Sequence, residues 1–153
     1  MDTLTHSGST GALSKAGLAE GTNSATIKTN APNGAGTDYA IKGTAYHKAD
    51  TDNIAMTALA VQADLTTCVY LVQIDTSGTV SMKKGTEVTS TTLGVTNVCQ
   101  VPMHDDGCCP LGHIKVVLSG ATFTSGTTDL SASGVTATFV DYALGYPSAP
   151  VSS

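Results

Sequence analysis

Apolar and polar positions alternate in short runs along most of this chain, and the alternation has the two-residue period of extended strands. The clearest case is Val69 to Lys84, where VYLVQI and TVSMKK flank Asp75-Thr76-Ser77-Gly78. Gly in such a connection supplies the positive φ that a tight turn demands, so the pattern predicts a β-hairpin. Tyr39 to Tyr46 predicts a first strand or hairpin, with pairing starting as early as Ile27. Val98 to Val101 predicts a short strand and His113 to Ser119 a strongly apolar one. In VTATFVDY the alternation puts Val135, Ala137, Phe139 and Asp141 on one face.

Residues 50–65 fit two elements. Asp50 or Asp52 suits a helix cap ahead of Ile54, Ala58, Leu59, Val61 and Leu65, which gives one short helix around 53–65; the same letters also fit a strand. Residues 1–26 are rich in Ser, Thr and Gly and poor in large apolar groups, so they predict a flexible N-terminal arm. Its anchors on a partner would be Leu4, Leu13 and Leu18. The division expected is an arm over 1–26, a β-rich core over 27–146 and a proline-containing tail over 147–153. The fold class predicted is all-β, an antiparallel sandwich or small barrel.

Composition sharpens this. Thr, Ser and Gly make up 55 of the 153 residues, a balance that favours strands and turns over a helical bundle. The formal charge is −5 and arginine is absent. The fork-shaped donor best suited to phosphate is therefore missing, and the expectation is no nucleic acid and no membrane among the partners. No apolar run reaches the ~20 residues that span a bilayer, and the start has neither a basic n-region nor an apolar h-region. Synthesis in the cytosol is expected.

The tempting chemistry lies in Cys99, His104, Asp105, Asp106, Cys108, Cys109 and His113, all zinc-ligand types. Paired Cys-x-x-Cys knuckles are missing, and Cys108 and Cys109 face opposite ways in an extended chain. The expectation is ordinary loop and strand-edge residues, with no metal and no cofactor. A Cys–His nucleophilic pair drawn from the same residues lacks activating flanks, and Asp50 with Asp52 lacks the spacing of a calcium loop. No catalytic residue is assigned, and the chain is expected not to be an enzyme. Free thiols are the default for Cys68, Cys99, Cys108 and Cys109; Cys68 with Cys99 is one pair open to late oxidation.

Three stretches carry a resemblance to a known group. They are Thr51-Asp52-Asn53-Ile54-Ala55-Met56-Thr57-Ala58, Cys68 to Asp75 with Gly78-Thr79-Val80-Ser81, and Cys109 to Val116 with Thr127-Thr128-Asp129-Leu130-Ser131. In these the chain resembles small virion structural proteins of tailed bacteriophages, of the capsid decoration (cement) type. The resemblance implies a homo-oligomer, often a trimer, on the outer capsid surface, bound to the major capsid protein after synthesis in the host cytoplasm. The competing expectation is a head- or tail-fibre adhesin that binds a host receptor or glycan through Tyr39, Tyr46, Tyr142 and Tyr146.

Overall fold

The computed structural model describes residues 8–89 and 98–143. Within them the chain is all-β, with eleven strands and no helix. The strands are β1 (Gly11–Ala12), β2 (Leu18–Glu20), β3 (Thr26–Thr29), β4 (Thr37–Ile41), β5 (Thr44–Lys48) and β6 (Thr51–Ala55), followed by β7 (Thr66–Asp75), β8 (Val80–Lys84), β9 (Val88–Thr89), β10 (Cys108–Leu118) and β11 (Val135–Asp141). They form three antiparallel sheets: β1-β4-β5, β2-β3-β6, and a larger one ordered β11-β10-β7-β8, with β9 sharing the β8 edge of β7. The sheets do not close into a barrel; the arrangement is that of a sandwich.

Strand β7 is the axis of the large sheet, and every residue from Thr66 to Ile74 is buried. Its inward face, Cys68, Tyr70, Val72 and Ile74, joins Ile114, Val116 and Leu118 of β10 in one core. Ala12, Tyr39 and Ile41 from the first sheet and Leu18 and Ile27 from the second join that core, as do Met56, Leu111 and Phe123. Val135 is buried there, and Ala137 and Phe139 pack against it, as the alternation in β11 predicts.

Local chemistry explains the turns. Asp75 closes the β7–β8 hairpin: its carboxylate accepts from the N–H groups of Ser77 and Thr79, at 2.8 and 2.9 Å, and Gly78 takes a φ of 81°. The β4–β5 hairpin turns on Lys42 and Gly43, both at positive φ as a two-residue type I′ connection requires.

Three expectations are revised. The N-terminal arm does not extend to residue 26, because β1 pairs with β4, β2 pairs with β3, and Ala12, Ala16 and Leu18 are core residues. The helix over 53–65 is not formed. Asp52 instead accepts from the amide and hydroxyl of Thr22, and Ile54 pairs with Ile27 in β6, while Ala58, Leu59, Val61 and Leu65 lie beyond that strand, Val61 and Leu65 exposed. Val98 to Val101 enters no ladder and belongs to a connecting segment.

Residues 56–65 are held without a helix by Gln62, which is fully buried. Its side-chain N–H groups donate to the carbonyls of Thr66 and Val116 at 3.1 and 3.2 Å, and its oxygen accepts from the Tyr70 hydroxyl at 3.0 Å. Its backbone exchanges two hydrogen bonds with Phe123. Every polar group of this side chain that enters the core thus has a partner, which is what makes its burial affordable.

Candidate functional site

The residues of the Cys/His cluster are dispersed by the fold. Cys109 is fully buried in the core and Cys108 points the other way, half-buried, as adjacent residues of a strand must. His113 lies on the outer face of β10, its Nδ1 2.7 Å from the Tyr142 hydroxyl, and burial lowers its pKa. His104 contacts the carbonyl of Asp105 at 3.0 Å, and the Cys99 sulfur sits 3.6 Å from the carbonyl of Thr67. Among the described residues no three His, Cys, Asp or Glu side chains gather as a metal site would need.

The acidic pairs serve the backbone and its neighbours. Asp50 accepts from the Ala31 N–H at 2.8 Å, and Asp52 closes the Thr22 turn. Of the arm anchors, Leu18 is interior, Leu13 is half-buried, and Leu4 lies outside the described residues. The tyrosines do not form one surface. Tyr39 is buried, its hydroxyl donating to the Asp75 carbonyl at 3.1 Å, and Tyr46 stacks on it at 5.5 Å between centroids. Tyr142 is engaged with His113, and Tyr146 lies outside the described residues.

What sequence reasoning missed is how the segment 98–107 is held and what it displays. It runs beside the outer side of β7 and β8 and leads into β10, fixed at several points. Gln73, itself buried, donates to the Asp105 carboxylate at 2.6 Å and accepts from the Asp105 N–H at 2.9 Å. Lys83 reaches the same carboxylate at 2.7 Å, and Lys42 reaches Asp106 at 3.0 Å. These partners hold both carboxyls below the usual range: Lys83 then Gln73 at Asp105, and Lys42 at Asp106. Gly85 permits the close approach at the other end, since a Cβ there would stand 2.8 Å from the Gln100 carbonyl oxygen and 2.9 Å from that of Val69.

The segment turns apolar side chains outward. Val98 is 75% exposed, Val101 42% and Met103 81%. They border two adjoining shallow depressions that share Thr86 and Gln100, one lined also by Glu87 and Val98, the other by Gly85, Pro102 and Met103. Scattered exposed apolar residues are ordinary; here three fall within six residues of one tethered segment and form a ridge of exposed apolar side chains. The legible signal is VCQVPM itself, a strand-like apolar run that ends on a proline unable to donate to a ladder.

Comparison of the chain with known protein families, with curated proteins and with solved structures finds no match.

Proposed function

We propose that this protein works by contact and not by catalysis, as a capsid decoration protein of a tailed bacteriophage that binds the outer surface of the assembled head and links neighbouring major capsid protein subunits. The observation that carries the reading is the ridge of Val98, Val101 and Met103, displayed by a segment that Gln73, Lys83 and Lys42 tether to the sheets. The resemblance of the strand-and-turn segments 51–58, 68–75 with 78–81, and 109–116 with 127–131 to virion structural proteins suggests the partner.

The energetics suit a repeated lattice. Fully burying a Val or Met side chain stabilises by about 1.5–3 kcal/mol, while docking costs several kcal/mol in lost freedom. A ridge of three such side chains is therefore a weak anchor alone and an effective one in a homo-oligomer, such as a trimer, that engages several equivalent sites together. The fibre-adhesin reading finds less support, because buried Tyr39 and engaged Tyr142 are not available as glycan-stacking faces.

Imaging of the phage particle with an antibody to this chain tests the assignment. Label distributed over the head supports decoration, and label confined to the tail tip overturns it.

A further inference from the structure

We propose that Asn33 is a self-modification site, at which the Gly34 backbone nitrogen closes on the Asn33 side-chain amide and converts it, by way of a cyclic imide, into aspartate and isoaspartate. The two residues stand at the tip of the connection between β3 and β4. The Gly34 N–H donates to the Ala31 carbonyl at 2.9 Å, which makes 31–34 a β-turn with Pro32 and Asn33 at its centre. Residues 32–35 are exposed. Gly34 takes a φ of 69°, and a Cβ built on it would meet nothing within 4 Å. The attacking nitrogen is therefore bare, where any other residue type would set a side chain beside it.

The same turn prepares the electrophile. The Ala35 N–H donates to Asn33 Oδ1 at 3.0 Å, so a donor already sits on the oxygen that gains charge as the ring closes. Among the described residues that is the one bond the Asn33 side chain makes, which leaves its amide nitrogen free to depart. Nitrogen and carbon belong to adjacent residues, so rotation about the Asn33 bonds brings them together once the Gly34 N–H leaves the Ala31 carbonyl. The other described asparagines are held against this reaction. Asn30 precedes Ala31, whose N–H is taken by the Asp50 carboxylate at 2.8 Å. Asn53 lies in β6, its Oδ1 accepting from the Asn23 N–H at 2.7 Å and the Thr26 hydroxyl at 3.1 Å. Asn23 is fixed by that same bond and by its carbonyl, which accepts from the Thr26 N–H at 2.9 Å, and Ser24 follows it.

In the first step hydroxide removes the Gly34 amide proton and the nitrogen attacks Asn33 Cγ, forming an N–C bond. The bond from Cγ to the amide nitrogen breaks, and ammonia leaves with a proton taken from water. Water then opens the imide. Cleavage of the new N–Cγ bond restores the main chain with aspartate at position 33. Cleavage at the main-chain carbonyl instead leaves the chain running through the side chain, as isoaspartate. The sum is one water consumed and one ammonia released, with no change of oxidation state. The turn is pinned at both ends: Asp50 holds the Ala31 N–H, and Gly36 stands so close to the Lys48 carbonyl that a Cβ there would collide with it. The exposed tip between these points gains a negative charge, and the surface charge of the molecule changes with its age.

The experiment incubates the folded full-length protein at mildly alkaline pH in water enriched in heavy oxygen, samples it over days and maps the peptides by mass spectrometry. The expected result is uptake of heavy oxygen at Asn33 ahead of Asn23, Asn30 and Asn53, with isoaspartate and aspartate both formed and a rate that climbs with pH. Asn33→Gln, whose longer side chain closes the ring poorly, should lose the conversion at that position. Earlier conversion at Asn23, Asn30 or Asn53 overturns the inference. So does an intact Asn33 in the folded chain at a time when the same chain unfolded in urea has converted there; both readouts are made on the wild type and stand even if the variant folds poorly.

Discussion

The backbone N–H of Leu18 donates to the Asp141 carboxylate at 2.9 Å, joining the start of β2 to the last residue of β11 across 123 residues of chain. This bond makes the N-terminal strands part of the body. Asp141→Ala leaves that amide without its charged acceptor, and the expected loss is about 1–2 kcal/mol of unfolding free energy, read from the urea midpoint. An unchanged midpoint would show that water replaces the carboxylate at no cost.

Removal of residues 1–26 should do much more. It deletes β1 and β2 and withdraws Ala12, Ala16 and Leu18 from the core. The truncated chain is expected to lose cooperative thermal unfolding; a sharp transition near that of the whole protein would mean the remaining strands suffice.

Gln62 is the interior polar group on which the 56–65 connection depends. Gln62→Ala removes the acceptor of the Tyr70 hydroxyl and one donor to each of the Thr66 and Val116 carbonyls and opens a void, for an expected cost of about 3 kcal/mol. Tyr70→Phe removes one partner only and should cost about 1–2 kcal/mol. Equal effects from the two variants, measured by chemical denaturation, would contradict the hub role of Gln62.

Gly85→Ala forces a methyl group against two carbonyl oxygens. The expected outcome is displacement of the 98–107 segment, seen as faster amide exchange there while β10 and β11 stay protected. Unaltered exchange over 98–107 would show that the close approach is not required.

Stability should fall at both ends of the pH scale. The Ser77 hydroxyl and Thr79 N–H hold the Asp75 carboxyl low, and at Glu87 the Lys84 ammonium and Ala63 N–H outweigh the upward push of burial. Depressed carboxyls contribute stability that is present above the unfolded pKa of about 4 and is lost as pH drops through their folded values. Burial pushes the Cys68 and Cys109 thiols up to about 11, so their contribution is present below about 9 and is lost as pH rises through about 11. Under reducing conditions the urea midpoint should form a plateau between about pH 5 and 8.5. A midpoint that stays level above pH 9 would contradict the buried, neutral thiols.

The large sheet was legible because its strands are long and regularly patterned. VYLVQI and TVSMKK, with Asp75 and Gly78 between them, specify a hairpin almost independently of context, and β11 alternates cleanly. The N-terminal strands were not legible, since β1 and β2 have two and three residues, too few to show a period, and owe their place to partners far along the chain. The helix-or-strand ambiguity at 53–65 was decided by tertiary pairing with Ile27 and by Gln62, neither visible in local pattern. The ridge escaped because exposure is a property of the packed sheets; VCQVPM read as a strand until β8 and β9 had filled the edge of β7.

The most direct test of contact-driven capsid binding pairs the wild type with Val101→Asp/Met103→Asp, which places two charges on the ridge without touching the core. The wild type is predicted to add to expanded heads in fixed proportion and raise the temperature at which they break, while the variant melts as the wild type does but binds about tenfold or more weakly. Equal binding by the two proteins, or no binding by the wild type, would contradict the account.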